Sequence, residues 1–98
     1  MDATFTFRNT EGTEALKGRT STKLAKLQKY LNKPVSPHVI FKIDGVYHTV
    51  EITFQHNGVS YFSKGESNDM YTSLDDAVSK IEHQLRKTKD RIKGHKGE

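Results

Sequence analysis

Cysteine is absent from the 98 residues, which excludes disulfides, thiolate metal sites and cysteine nucleophiles. That absence is compatible with a reducing compartment. Hydrophobic residues make up only 33% of the chain, so its core is thin. No apolar run approaches the roughly 18 residues of a membrane span. The opening Met1-Asp2-Ala3-Thr4 lacks the basic and apolar regions of a signal peptide. The expectation is a soluble protein that stays in the cytoplasm where it is made, with no membrane partner. Catalytic groupings are missing as well. His48 and His56 share a strand face by parity, but eight residues of extended chain would separate them by about 27 Å, too far for one metal. His38, His83 and His95 have no ligand spacing, and the glycines are scattered among turns rather than gathered into a phosphate-cradling loop. Asp75 and Asp76 point to different faces of a helix. Neither an enzyme nor a metal, cofactor or small-molecule substrate is expected.

Charge is what the chain has in abundance. Sixteen Lys and Arg against twelve Asp and Glu give a net charge of +4. An anionic partner follows, with nucleic acid the first candidate and a membrane surface the second. Residues 1–33 carry seven basic and three acidic residues, 34–70 two and four, and 71–98 seven and five. The positive excess therefore lies in the two outer segments.

In chain order, Ala3 to Arg8 alternates Phe5 and Phe7 against Thr4, Thr6 and Arg8, the period of a half-buried strand. Thr13 is a natural N-cap, and Leu16, Thr20, Leu24, Leu27 and Leu31 then recur at helical spacing. This predicts a helix of about 18 residues, ended by Asn32 and Pro34. Gly18 lies inside it, at a cost on the order of 1 kcal/mol relative to Ala. Strands are predicted over His38–Asp44 and Tyr47–Gln55, joined by the hairpin signal Asp44-Gly45. After the turn Asn57-Gly58 comes a shorter strand over Val59–Lys64, then a loop over Gly65–Asn68. From Asp69, the residues Leu74, Ala77, Val78, Ile81, Leu85, Thr88 and Ile92 form the apolar stripe of a second helix.

The predicted fold is α+β, in the order β-α-β-β-β-α. It is a four-stranded mixed sheet with two parallel-packed basic helices on one face, an arrangement like that of double-stranded-RNA-binding domains. A right-handed crossover makes the first strand parallel to the second. Each helix has one apolar stripe, so both must lie on the same face of the sheet. One domain is expected over residues 1–98, ordered over about 2–93, with a flexible tail at 94–98.

Both helices carry rows of cations. On the first, Arg19, Lys23, Lys26, Tyr30 and Lys33 follow one another beside the leucines, with Lys29 close by. On the second, Lys80, Gln84, Lys87 and Arg91 line one edge of the stripe, and Arg86, Lys89 and Lys93 the other. Asp69, Asp75 and Asp76 at its amino end suit the helix macrodipole. Side-by-side packing would merge the outward rows into one cationic surface that includes Tyr30. Successive members of a row stand about 5 to 6 Å apart, near the spacing of backbone phosphates. Such contacts carry affinity without a sequence code, and neither helix offers the residue set for base-edge readout. A structured RNA read by shape fits best. Tyr30 and Tyr71 are candidates for stacking on bases, although Tyr71 also suits the edge of the core.

Several segments resemble the bacterial ribosome hibernation factors of the ribosome-associated inhibitor family, in their short form. They are Thr13-Glu14-Ala15-Leu16, Lys23 through Tyr30, Asp69-Met70-Tyr71, Leu74-Asp75, Lys80-Ile81, Gln84-Leu85 and Lys87 through Arg91. The resemblance implies the same fold and a non-enzymatic translation inhibitor of stressed or stationary bacteria. It would sit on the small ribosomal subunit, in the channel for messenger and transfer RNA, with its basic helices on ribosomal RNA. Lys17, Lys23, Lys26, Lys80, Lys87, Lys89, Arg91 and Lys93 match the family's basic pattern. Helix geometry adds Arg19, Lys29 and Arg86. The chain stops after the second helix, where long-form members carry a further domain that pairs ribosomes. Pairing would then be expected to need a separate ribosome modulation factor. Two other readings are a generic double-stranded-RNA-binding module and a protein-interaction domain that does not bind RNA.

Overall fold

In the computed structural model the backbone is described for residues 1–96 and the side chains for residues 1–88. The elements are β1 (Thr4–Arg8), α1 (Glu14–Ala25), a 3-10 segment (Lys26–Tyr30), β2 (His38–Asp44), β3 (Tyr47–His56), β4 (Val59–Ser67) and α2 (Met70–Lys96). The strands form one sheet in the order β1-β2-β3-β4, with β1 parallel to β2 and the rest antiparallel. The predicted element order and mixed sheet are what the structure shows.

Register explains the single core. Phe5 pairs with Val39, Val39 with Ile52, and Ile52 with Ser63; one step along, Phe7, Phe41, Val50 and Gly65 line up in the same way. All of these side chains point to the helical face. There Val39, Phe41, Val50 and Ile52 are fully buried beneath Leu24 and Leu27 of the first helical segment and Leu74, Ala77 and Ile81 of α2. Phe5, Phe7 and Phe41 stack, the closest ring centroids being 5.0 Å apart. Both hairpin turns use positive φ: Gly45 at 62°, Asn57 at 52° and Gly58 at 77°. These are the left-handed conformations that tight hairpins require.

The ends of α1 and β4 differ from the sequence reading. The first helix keeps its α geometry only to Ala25 and then tightens into the 3-10 segment. Gly18 does not open its first turn: Thr13 Oγ1 accepts from Leu16 N at 3.1 Å, and the helix runs unbroken from Glu14. The fourth strand does not stop at Lys64 but continues to Ser67. The reason is the close approach of α2. A Cβ on Gly65 would overlap the Ser73 carbonyl oxygen and stand 2.9 Å from Ala77 N. Small hydroxyls replace bulk there: Ser63 Oγ donates to Ala77 O at 2.7 Å, and Ser73 Oγ to His48 O at 2.6 Å. Helix α2 extends through Lys96, and residues 97 and 98 of the expected flexible tail lie outside the described residues.

Candidate nucleic-acid interface

The two helices lie side by side and run in the same direction, as three contacts in register show. Arg19 stacks its guanidinium over the Tyr71 ring at 5.2 Å, Lys23 Nζ meets Asp75 Oδ1 at 2.8 Å, and Tyr30 Oη donates to Glu82 Oε2 at 3.1 Å. The seam between the helices is therefore polar, mixed in charge and internally matched. Each of these partly exposed contacts contributes about 1 kcal/mol or less.

This seam divides the cations that sequence periodicity placed in continuous rows. Arg19 and Lys23 turn inward along α1 to meet α2. Lys17 lies on the opposite flank of α1, its ammonium 5.9 Å from the Phe7 ring centroid and 3.8 Å from Glu14. Lys80 lies on the far side of α2, at the edge of the sheet, where Nζ donates to Lys64 O at 2.8 Å and meets Asp76 Oδ2 at 3.1 Å. Gln84 does the same one turn on, donating to Phe62 O at 2.8 Å. Tyr71 is neither under the helix nor bare, since Arg19 occupies one of its faces.

Lys26, Lys29, Arg86 and Lys87 are different. All four are exposed and none forms an ion pair among the described residues. Lys29 Nζ lies 5.3 Å from the centroid of the Tyr30 ring. Because Tyr30 is level with Glu82, Lys26 and Lys29 stand beside the stretch of α2 that presents Arg86 one turn further on, while Lys87 follows Lys80 and Gln84 along the far flank of that helix. Lys33 is exposed just beyond, at the end of the row that periodicity predicts on the first helix. The side chains of Lys89, Arg91 and Lys93 lie outside the described residues, although the helix that carries them continues in line.

Charge is therefore segregated along the helical layer. Toward the amino ends, Lys17, Arg19 and Lys23 are balanced by Glu14, Asp69 and Asp75, and on the far flank of α2 Lys80 is balanced by Asp76. Further on, Glu82 is the one carboxylate on the helices beside Lys26, Lys29, Lys33, Arg86 and Lys87 among the described side chains. Among the described side chains that end therefore carries a positive excess. The N-cap of α2 completes the balanced end. Asp69 Oδ2 accepts from Thr72 N at 2.9 Å and from Thr72 Oγ1 at 3.0 Å. The backbone N–H first, and the hydroxyl second, hold its carboxyl below the usual value of 3.8.

His38 and His56 are each engaged by neighbouring side chains, whereas the buried Nδ1 of His48 has no hydrogen-bond partner among the described residues. His38 contacts Thr4 Oγ1 at 2.6 Å and Thr6 Oγ1 at 3.0 Å, and His56 Nε2 contacts Asn32 Oδ1 at 2.9 Å. Among the described residues no helix is long and apolar enough to cross a membrane.

Residues 3–93 match the family described as sigma 54 modulation protein / S30EA ribosomal protein. The chain belongs to this family. Within it, the chain is 36% identical over 95 residues to the ribosome hibernation promoting factor of Escherichia coli strain K12, covering 97% of this chain and 100% of that one. It is 29% identical over 91 residues to the protein of the same name from Pseudomonas putida strain KT2440, covering 93% and 89%. Two solved structures of similar fold are the N-terminal domain of Thermus thermophilus Protein Y and a ribosomal subunit interface protein from Coxiella burnetii. The first has a TM-score of 0.83 at 26% identity, covering 90% of this chain and 99% of that one. The second has a TM-score of 0.80 at 27% identity, covering 92% and 99%. The resemblance read from the helix motifs is thus a family membership that spans nearly the whole chain.

Proposed function

We propose that this chain is a ribosome hibernation factor. It works as one unit that lies on the small subunit, in the channel for messenger and transfer RNA, and keeps translation off by occupying that space. Family membership and the names of its relatives support a ribosome as the partner. The observation that carries the RNA-binding part is the distribution of charge: Lys26, Lys29, Lys33, Arg86 and Lys87 lie toward the carboxyl ends of two parallel helices, where Glu82 is the one helix carboxylate among the described side chains. Lys89, Arg91 and Lys93 would continue that surface along α2. Arg19, Lys23 and Lys80 have partners within the protein, so their first role is to set the helices against each other and against the sheet. They support the RNA-binding end rather than form it. Cations on rigid helices, with no base-reading set, suit a folded RNA backbone recognised by shape.

Competition tests this reading. On vacant small subunits, fluorescently labelled protein should be displaced by messenger RNA together with transfer RNA, and pre-bound protein should slow their entry. Simultaneous binding of all three would reject occlusion of the channel. Equal affinity for an arbitrary RNA duplex and for small subunits would favour a generic duplex-binding module instead.

A further inference from the structure

The two edges of the sheet are finished differently. On β4, the Phe62 and Lys64 carbonyls are taken by Gln84 and Lys80 of α2, each at 2.8 Å. On β1, no side chain among the described residues bonds an outward backbone group. The direction of those groups is fixed by Thr4 N, which donates to Pro37 O at 2.9 Å. Thr4, Thr6 and Arg8 therefore turn their backbone groups toward β2, and Ala3, Phe5 and Phe7 turn theirs away. A bare edge of this kind is a template for another strand.

We propose that β1 pairs antiparallel with β1 of a second copy of this chain, Phe5 opposite Phe5, so that two sheets join into one. The register follows from the residues. With Phe5 on the two-fold axis, Ala3 falls opposite Phe7, Thr4 opposite Thr6, and Asp2 opposite Arg8. The residues with outward backbone groups then face one another and exchange both hydrogen bonds in each pair. Asp2 and Arg8 are exposed and opposite in charge, and symmetry makes the ion pair twice. Shifting the register by two residues places Arg8 opposite Thr4 in one direction and past the partner's first residue in the other, and loses both pairs. Steric fit agrees. The Phe7 ring is already covered by Gly12 and Lys17, and the residue brought opposite it is the small Ala3. Phe5 is half-buried and lies 6.2 Å from Phe41, so its uncovered side would be closed by its counterpart on the same face of the joined sheet. A five-residue strand pair buries less than the roughly 1,200 to 2,000 Å² of a stable interface, so the dimer is in rapid exchange and forms at high concentration. The proposal does not depend on what the basic helices bind.

Two measurements on the full chain test it. The first is amide exchange by NMR from micromolar to millimolar protein. Exchange at Phe5 and Phe7 should slow several-fold with concentration, while Thr4 and Thr6, already bonded to β2, should not respond. The second is sedimentation equilibrium of charge variants. Arg8→Asp should weaken self-association roughly tenfold, and Asp2→Arg combined with Arg8→Asp should restore it. A protein that stays monomeric at millimolar concentration overturns the proposal. So does exchange at Phe5 and Phe7 that ignores concentration, an Arg8→Asp variant that associates as well as the parent, or a double swap that fails to recover.

Discussion

Gly65→Ala should be among the most damaging single-methyl changes in this chain. The added carbon would overlap the Ser73 carbonyl oxygen and lie 2.9 Å from Ala77 N and 3.0 Å from Ser73 C. All three are backbone atoms of α2, so no side chain can swing aside, and the helix must move bodily away from β4. That movement would stretch the Ser63 Oγ to Ala77 O bond, now 2.7 Å, and loosen the packing of Leu74 and Ala77. Overpacking of this kind costs about 1 to 3 kcal/mol, and the rigidity of the opposing atoms puts the expectation near 3. For a domain of this size that is a shift in melting temperature of roughly 12 to 20 °C. Gly18→Ala is the matched control. Nothing lies within 4 Å of the added Cβ, and the site is inside a helix, so the same methyl should stabilise by about 0.5 to 1 kcal/mol. Urea unfolding followed by circular dichroism reads both. A Gly65→Ala protein within about 0.5 kcal/mol of the parent, the usual range of a surface substitution, would refute the account of how α2 is seated.

Other consequences follow from the site. Replacing Lys26, Lys29, Arg86 and Lys87 together by Gln should flatten the salt dependence of RNA binding. With about 0.9 of slope per phosphate contact, the parent should lose roughly 150-fold more affinity than the variant over a fourfold rise in salt; equal slopes would remove these residues from the interface. Changing Lys23 to Met should cost about 1 kcal/mol or less of stability, with the same loss from Asp75→Asn and little further loss from the double change. Additive losses would mean that the pair does not interact. Asp69 is held below its ordinary pKa in the folded state, so its contribution to stability is fully present above pH 3.8 and is lost as the pH falls through the lower folded value. An NMR titration should place its midpoint below 3.8, and a midpoint at or above that value would contradict the capping geometry.

Periodicity was a good guide wherever a residue's environment is set by its own element. The alternation of Phe5 and Phe7, of Val39 and Phe41, and of Val50, Ile52 and Phe54 named the buried face correctly, and the leucines of α1 named its core stripe. Asp44-Gly45 and Asn57-Gly58 marked both hairpins because few residues adopt the positive φ those turns demand. The end of β4 was missed for the converse reason. Ser63, Gly65 and Ser67 carry no apolar signal, since their smallness serves a helix passing close above them, and that is a fact about α2. Partnering of the cations was hidden in the same way. A helical wheel places Arg19, Lys23 and Lys26 along one flank but cannot show that Tyr71 and Asp75 of another helix stand opposite the first two. Lys17 is the exception: a rotation of 100° per residue puts it across the core stripe from Arg19, so its separation from the row was legible from spacing alone.

The central claim is that the end of the helical layer beyond Tyr30 and Glu82 holds this protein on a ribosome. It is tested most directly by sucrose-gradient sedimentation of the parent and a Lys26, Lys29, Arg86 and Lys87 to Glu variant with small subunits, large subunits and whole ribosomes, at low and high salt. The account predicts that the parent travels with small subunits and whole ribosomes but not with large subunits, less so at high salt. The variant should stay at the top of the gradient with an unchanged circular dichroism spectrum. A folded variant that still travels with small subunits, or a parent that never does, would contradict it.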